Sequence, residues 1–267
     1  MNKIRKSLII LSIILFFGKV GYCDEGLEIS VTHPWLALLA SFIGGPEVHV
    51  KPVRIWNNDG DLVLNEKGKI LRELEQGAKI ISLDENDAVA TGIKQQNYNV
   101  KYLYNPFPVK MTDLFDPSVI PFVAQRILTV LSEWDSQNYP YYQRRLAEFQ
   151  ARLSGSILVG QVLKDVTVSD LGGSCGILLR AAGCKIEKPE AEILDDWKKL
   201  REYIELKHSE GITIVYDDDT PKAIKKYLSG KNQQKFAYHW ERPDIERDYP
   251  TFLHEQYISL WQKIIAK

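Results

Sequence analysis

The period of the apolar positions changes repeatedly along the chain, and each change predicts an element. Leu27–Thr32 reads as a short strand. Pro34–Ile43 (PWLALLASFI) is apolar nearly all round and is closed by Gly44-Gly45, which predicts a buried helix. Val48–Val53 is the next strand. Glu66–Gln76 predicts an amphipathic helix with Ile70, Leu71 and Leu74 on one side, and Lys79–Leu83 and Val100–Tyr104 predict two further strands. This β-α-β alternation points to a parallel sheet covered by helices.

The middle of the chain turns helical. Asp116-Pro117-Ser118 predicts a helix start with Ser118 as N-cap, which makes Pro121 tolerable in the first turn; Val119, Val123, Ile127, Val130, Leu131 and Trp134 form its apolar face. A second helix starts near Asn138-Tyr139-Pro140, with Tyr142, Leu146, Phe149 and Leu153 on one face and charged residues on the other. The alternation then resumes: strand Val166–Val168, helix Gly173–Ala182, helix Glu192–Lys207, strand Ile212–Tyr216, helix Pro221–Leu228, strand Phe236–His239 and helix Tyr249–Ile265. The fold class that follows is α/β: two Rossmann-like lobes with parallel sheets, residues 24–135 and 157–267, joined by a long rigid linker helix within 136–156.

The start of the chain bears on location. Lys3, Arg5 and Lys6 precede the apolar run Ser7–Gly18, and Gly21-Tyr22-Cys23 precedes the first acid, Asp24. That is the layout of a secretory signal peptide, residues 1–23, and the run is well short of the ~20 residues that span a bilayer. The expected compartment is the periplasm or the outer cell surface. Val20-Gly21-Tyr22-Cys23 resembles a lipobox, which makes Cys23 a candidate for lipidation and membrane anchoring, although Tyr22 is bulky for the position before the cysteine. The 244 residues that follow carry a net charge of −5, because four cations and no acids lie in the first 23. A mildly acidic chain without a basic run is a poor partner for nucleic acid or anionic membrane. Of the two internal cysteines, Cys175 and Cys184, a helix between them would separate the pair by ~13 Å, beyond the ~7 Å reach of a disulfide. Two buried thiols are expected.

Taken in order, these segments resemble the metal-type solute-binding proteins of bacterial ABC importers, which capture zinc or manganese. The residues that carry the resemblance are Ile29–Gly45 (ISVTHPWLALLASFIGG) with the strand after it, Asp116-Pro117, the tyrosine-rich stretch WDSQNYPYYQRRLAEFQARL at 134–153, Gly211–Lys222 (GITIVYDDDTPK) and the last helix from Asp248. The resemblance implies a monomeric extracytoplasmic protein that takes a divalent transition metal or a metal-related small ligand between its lobes. It further implies delivery to an ABC permease and its ATPase. A non-transport accessory or adhesion protein on the same fold is the alternative. An enzyme is not expected: the chain shows no zinc-protease motif, phosphate loop or Ser/His/Asp order.

The family's usual ligands are three histidines and a carboxylate at strand ends, and here the set departs from that pattern. The loop after the second strand reads Trp56-Asn57-Asn58-Asp59-Gly60-Asp61, the segment before Asp116 reads Lys110-Met111-Thr112-Asp113, and strand Val166–Val168 ends at Ser169-Asp170. Only the acidic fourth position persists, within Asp217-Asp218-Asp219. His49, His208 and His254 lie within a strand or on or beside helices, where a surface or core role is ordinary. His33 and His239 end predicted strands, and the carboxyl ends of strands line the ligand crevice of open α/β sheets. The candidate metal or ligand residues are therefore His33, Asp61, Thr112, Asp113, Asp170, Asp217, Asp218 and His239, with Trp56 and Asn58 as lining able to stack on and hydrogen-bond an organic ligand. Asp170 is equally suited to capping the helix after it, and Cys175 reads as a buried structural thiol.

Overall fold

The computed structural model describes residues 26–57, 59–104, 114, 116–245 and 247–266. Residues 1–23, expected to be a signal peptide and ending in Cys23, and the candidates Asn58, Thr112 and Asp113 lie outside them. In chain order the elements are β1 Leu27–Val31, α1 Pro34–Gly44, β2 Val48–Pro52, β3 Arg54–Trp56, β4 Leu62–Leu64, α2 Lys69–Glu73, β5 Lys79–Ser82, α3 Glu85–Ala90, β6 Asn99–Tyr102, α4 Ile120–Trp134 and α5 Tyr139–Gly160. The second half adds β7 Thr167–Asp170, α6 Cys175–Ala181, β8 Lys185–Glu187, α7 Ala191–Leu194, α8 Trp197–Ser209, β9 Thr213–Asp217, α9 Lys222–Leu228, β10 Ala237–Trp240 and α10 Tyr249–Ile265.

Two four-stranded sheets form, ordered β2-β1-β5-β6 and β10-β9-β7-β8, with every pairing parallel. Counted within each sheet, both have the same order: the first strand is flanked by the second and third, and the fourth lies beyond the third. In such an order the chain reverses direction of travel between first and third strands, so the ligand crevice belongs at their carboxyl ends. Here those ends are Val31 and Ser82 in one sheet, Asp170 and Asp217 in the other. Strand β9 (TIVYD) is buried at all five positions, as expected of a central strand covered on both faces.

Helices α1, α4, α5 and α10 form a layer shared by both sheets. One apolar core runs through it from Ile29 and Leu39 past Leu131 and Phe149 to Val168 and Tyr257, while smaller clusters fill the outer face of each sheet. Helix α5 has 22 residues, about 33 Å at the α-helical rise, and packs against α1, α4 and α10. Its entry is fixed by Asp135, whose carboxylate accepts from Tyr142 Oη at 2.5 Å and Asn138 Nδ2 at 2.9 Å. Phe42 of α1 meets Phe149 edge-to-face at 5.2 Å.

Several details differ from the sequence reading. The stretch 66–76 holds only the short α2, because Glu66 and Lys67 take left-handed φ of 44° and 53° and break the turn before it. The stretch 192–207 is two helices, since Asp196 leaves helical geometry to cap α8, accepting from Lys198 N and Lys199 N. Helix α4 begins at Ile120 with Val119, not Ser118, at the cap; Asp116 Oδ1 instead accepts from the Ser118 N–H and hydroxyl. Strand β8, helix α3 and the antiparallel hairpin β3–β4 are additions. Cys175 and Cys184 are unpaired and buried.

Candidate functional site

Where β1 ends, Pro34 sets the first turn of α1 and His33 caps it, its Nδ1 accepting the Trp35 N–H at 3.2 Å. The acceptor role of Nδ1 places the ring proton on Nε2. His33 is 3% exposed. Burial, with the Arg54 and Arg242 charges nearby, lowers its pKa to about 3, so the imidazole is neutral at physiological pH. A metal on Nε2 would require the opposite tautomer and would break the cap bond. Trp35 and Trp56 stand edge-to-face at 5.9 Å, and Trp56 meets the His33 ring at 6.1 Å.

The carboxylates of the second lobe are heavily engaged. Asp170, its side chain wholly buried, accepts from Gly172 N at 2.9 Å through Oδ1, and its Oδ2 pairs with Lys188 Nζ at 2.9 Å. Asp217 closes the start of α6 from across the sheet. Its Oδ2 accepts from Ser174 N (3.0 Å), Ser174 Oγ (3.0 Å) and Cys175 N (3.1 Å), and its Oδ1 from Asp219 N (3.1 Å) and Thr220 Oγ (3.3 Å). Burial alone would raise this carboxyl, but the Ser174 and Cys175 N–H groups outweigh it and hold its pKa below the ordinary value. Gly172 permits the approach, for a Cβ there would lie 2.5 Å from Oδ2. Burial, followed by the charges of Asp170 and Asp217, pushes the Cys175 thiol well above its usual pKa, which removes it as a nucleophile at neutral pH.

Asp218 pairs with His239, Nε2 to Oδ1 at 3.0 Å, and accepts the Arg242 N–H at 3.2 Å. Burial again opposes ionisation, and the His239 contact and Arg242 overcome it, holding the Asp218 carboxyl below its ordinary range. The His239 ring stacks on Tyr216 at 5.0 Å.

Arg242 joins the two lobes. Its guanidinium donates to Asp219 Oδ1 within its own lobe and to Gly60 O of the other, and its Cζ lies 5.7 Å from the Trp56 ring centroid. Gly60 sits at the tip of hairpin β3–β4, where Asn57 Oδ1 accepts from Asp59 N and Asp61 N. The tip is also held by Lys222, paired with Asp59 at 2.8 Å, and by Lys225, which donates to the Asp59 and Asp218 carbonyls. Gly60 has φ +89°, and a Cβ on it would fall 2.6 Å from Asp218 Cβ.

Two cavities flank the Trp56–Arg242 contact. One, about 580 Å³, lies between His33, Trp35, Trp56 and Leu62 on one lobe and Ser174 and Arg242 on the other; Asp61 and Asp219 also border it. The second, about 610 Å³, is bounded by Trp56 and Asn57 opposite Asp218, His239 and Glu241. The structure thus brings His33, Trp56 and Asp61 to one cavity and Asp218 and His239 to the other. Asp170 and Asp217 lie at strand ends beneath them with their oxygens engaged. Among the described residues no three His, Cys, Asp or Glu side chains are grouped to hold a metal ion. Sequence reasoning passed over Arg242, Arg54 and Ser174, and named Asp219 only as part of the acidic run Asp217–Asp219. The strand-end rule could have found Arg242, two residues past β10.

No family model matches the sequence, and no curated protein matches it. Solved structures do. The crystal structure of ZnuA superposes with TM-score 0.64 at 16% identity, covering 89% of this chain and 99% of that one. The solute-binding protein FpvC from Pseudomonas aeruginosa, in complex with Mn2+, gives 0.64 at 14% identity over 91% and 99%. The laminin-binding protein Lmb of Streptococcus agalactiae, described as bifunctional with adhesin and metal-transporting activity, gives 0.62 at 13% over 90% and 100%. At these identities the likeness shows the fold, and it is the fold of metal-type solute-binding proteins.

Proposed function

We propose that this protein is an extracytoplasmic solute-binding protein of an ABC importer, exported by its leader and acting as a monomer. It captures a metal ion or metal-related small ligand between its lobes and presents it to a permease driven by an ATPase. The observation that supports this most is the pair of sheets with identical strand order, whose carboxyl ends lead into loops that border cavities built from both lobes. The neighbours add weight: the solute-binding protein FpvC is in complex with Mn2+, and a mutant variant of AdcAII from Streptococcus pneumoniae is Zn(II)-bound. The apolar core that runs through the shared helical layer resists large hinge motion, so ligand capture changes local order around hairpin β3–β4 more than overall shape. No helix among the described residues is long and apolar enough to cross a membrane.

The test is whether permease and ATPase genes lie beside this one and, where they do, whether ATP hydrolysis by their complex, reconstituted in vesicles, responds to the purified protein. Stimulation is expected; an unchanged rate, with uptake intact in a deletion strain, refutes import. One observation favours a second reading, a non-transport accessory or adhesion protein: Arg242 and Lys222 tie the two lobes together directly, through Gly60 and Asp59. Under that reading the deletion strain loses surface attachment and keeps uptake.

A further inference from the structure

The cavity of about 580 Å³ falls in the size range of small-molecule sites and has a lopsided chemistry. Its walls are two indoles, Trp35 and Trp56, and Leu62. Its buried uncommitted polar groups are donors, and its one open acceptor, Asp61, lies on the exposed rim. A guanidinium carries five N–H bonds. Arg242 commits one Nη1 bond to Gly60 and one Nη2 bond to Asp219, and its Nε is buried with no hydrogen-bond partner among the described residues. His33 spends its acceptor, Nδ1, on the Trp35 N–H, which leaves Nε2 as a donor.

Most of the neighbouring acceptors are spent. Asp219 Oδ1 accepts from Arg242, and its Oδ2, 2.9 Å from Ser174 Oγ, shares that one hydroxyl proton with Asp217 Oδ2. Asp217 behind it accepts from Ser174, Cys175, Asp219 and Thr220. Asp61 is an exposed rim residue whose carboxylate touches Asn57 Nδ2 only at 3.4 Å. A bare cation entering here meets a fixed guanidinium and few open lone pairs. An acceptor-bearing molecule with a flat apolar body meets donors at one end and indoles along its sides.

We propose that this cavity takes a small aromatic carboxylate, either free or as the organic part of a metal complex, with Arg242 and His33 reading the carboxylate and Trp35 and Trp56 flanking the ring. The proposal rests on the solute-binding reading and names its ligand class. Planar carboxylates suit a guanidinium fork, which offers parallel N–H bonds that a point charge does not. Hairpin β3–β4 borders the cavity through Trp56, Asp61 and Leu62, and Lys222, Lys225 and Arg242 hold its tip in place.

The test is calorimetric titration of the mature protein with salicylate and with picolinate, each alone and each premixed with zinc or iron(III), and with the two metal ions alone. Saturable one-to-one binding of an acid is expected. Binding of the free acid identifies the acid as the ligand, and binding only of the premixed form identifies the complex; both support the proposal. Arg242→Gln and Arg242→Lys should each weaken binding by roughly ten-fold or more, since both lose the fork. His33→Ser, which keeps a capping oxygen, should weaken it less. Thermal melts establish that each variant is folded. Stoichiometric binding of zinc or iron alone with no response to either acid overturns the proposal and leaves the importer reading standing, because the vesicle ATPase assay judges that reading separately. Absence of heat with every acid and complex overturns it, and so does acid binding that is indifferent to both Arg242 substitutions in folded protein.

Discussion

His33 offers a sharp test because its burial is coupled to a known proton equilibrium. In the unfolded chain a histidine titrates near 6.5; in the folded protein the value is lowered to about 3. Between those values the unfolded state binds a proton that the folded state refuses. Stability is therefore fully present above pH 6.5, is lost as pH falls, and levels off near the folded pKa. One proton difference costs about 1.4 kcal/mol per pH unit, so lowering the pH from 7 to 4.5 removes roughly 2–3 kcal/mol through this residue alone. The window stops short of the range in which Asp217 and Asp218, both held below the ordinary carboxylate value, gain protons. The perturbation is His33→Asn, which retains a capping side chain for α1 and removes the imidazole. Urea unfolding curves at half-unit steps from pH 7.5 to 4.5 give both stabilities. At pH 7 the variant is expected to be weaker by about 1 kcal/mol, having lost the ring packing against Trp56. The difference should shrink and then reverse by pH 4.5. Parallel curves for the two proteins would refute the assignment of a neutral, buried His33.

Asp217→Asn should cost about 2–4 kcal/mol at pH 7, because an amide cannot accept on both sides from five donors in a buried setting. The gap should narrow below pH 4, where the wild-type carboxyl takes up a proton and its contribution is lost, and a variant within experimental error of wild type in urea unfolding at pH 7 would contradict the clasp role. Gly60→Ala should release the hairpin tip, since it forces a left-handed φ on alanine and drives a methyl into Asp218. The readout is faster proteolytic cleavage within residues 54–64 at unchanged far-ultraviolet dichroism, and identical cleavage rates would count against the latch. Lys222→Ala should leave the melting temperature unchanged, because the Lys222–Asp59 pair is well exposed at 70% and 51% and is screened by salt.

The sheets were legible because central parallel strands are buried on both faces, and segments such as KIIS and TIVYD therefore appear as short apolar runs between turn residues. Strand ends followed directly, and with them the placement of His33, Asp170, Asp217 and His239 at the crevice. Hairpin β3–β4 was not legible as strands. Its arms have three residues each, and Arg54-Ile55-Trp56 has no clear alternation. Its tip did carry a signal, Asp59-Gly60, of the kind that marks tight hairpins. The break at Asp195-Asp196 was hidden because Ile193, Trp197, Leu200 and Ile204 keep helical spacing across it. What the chain could not disclose is commitment: that Asp217 is saturated by five donors depends on Ser174 and Cys175 arriving from another loop. The role of Arg242 depends on a carbonyl 182 residues away in the other lobe.

That long-range contact bears on the chemistry of the whole cleft. A divalent ion about 6 Å from a guanidinium is opposed by roughly 5 kcal/mol at an effective dielectric of about 20. Asp219, bonded to the same guanidinium, offsets part of this. Nonetheless the offset creates few ligands, because Asp219 Oδ1 is engaged by Arg242 and Oδ2 shares the Ser174 hydroxyl with Asp217. The arginine thus does two things that a bound metal ion would do: it neutralises the acidic loop after β9, and it ties that loop to the opposite lobe through Gly60. Under the carboxylate proposal, a cleft that carries its own cation selects for what that cation lacks, which is acceptors for the remaining guanidinium N–H bonds. Under that proposal the sheets, the shared helical layer and the strand-end geometry serve a negatively charged solute without any change of fold. The residue on which that selection turns lies two positions beyond the last strand.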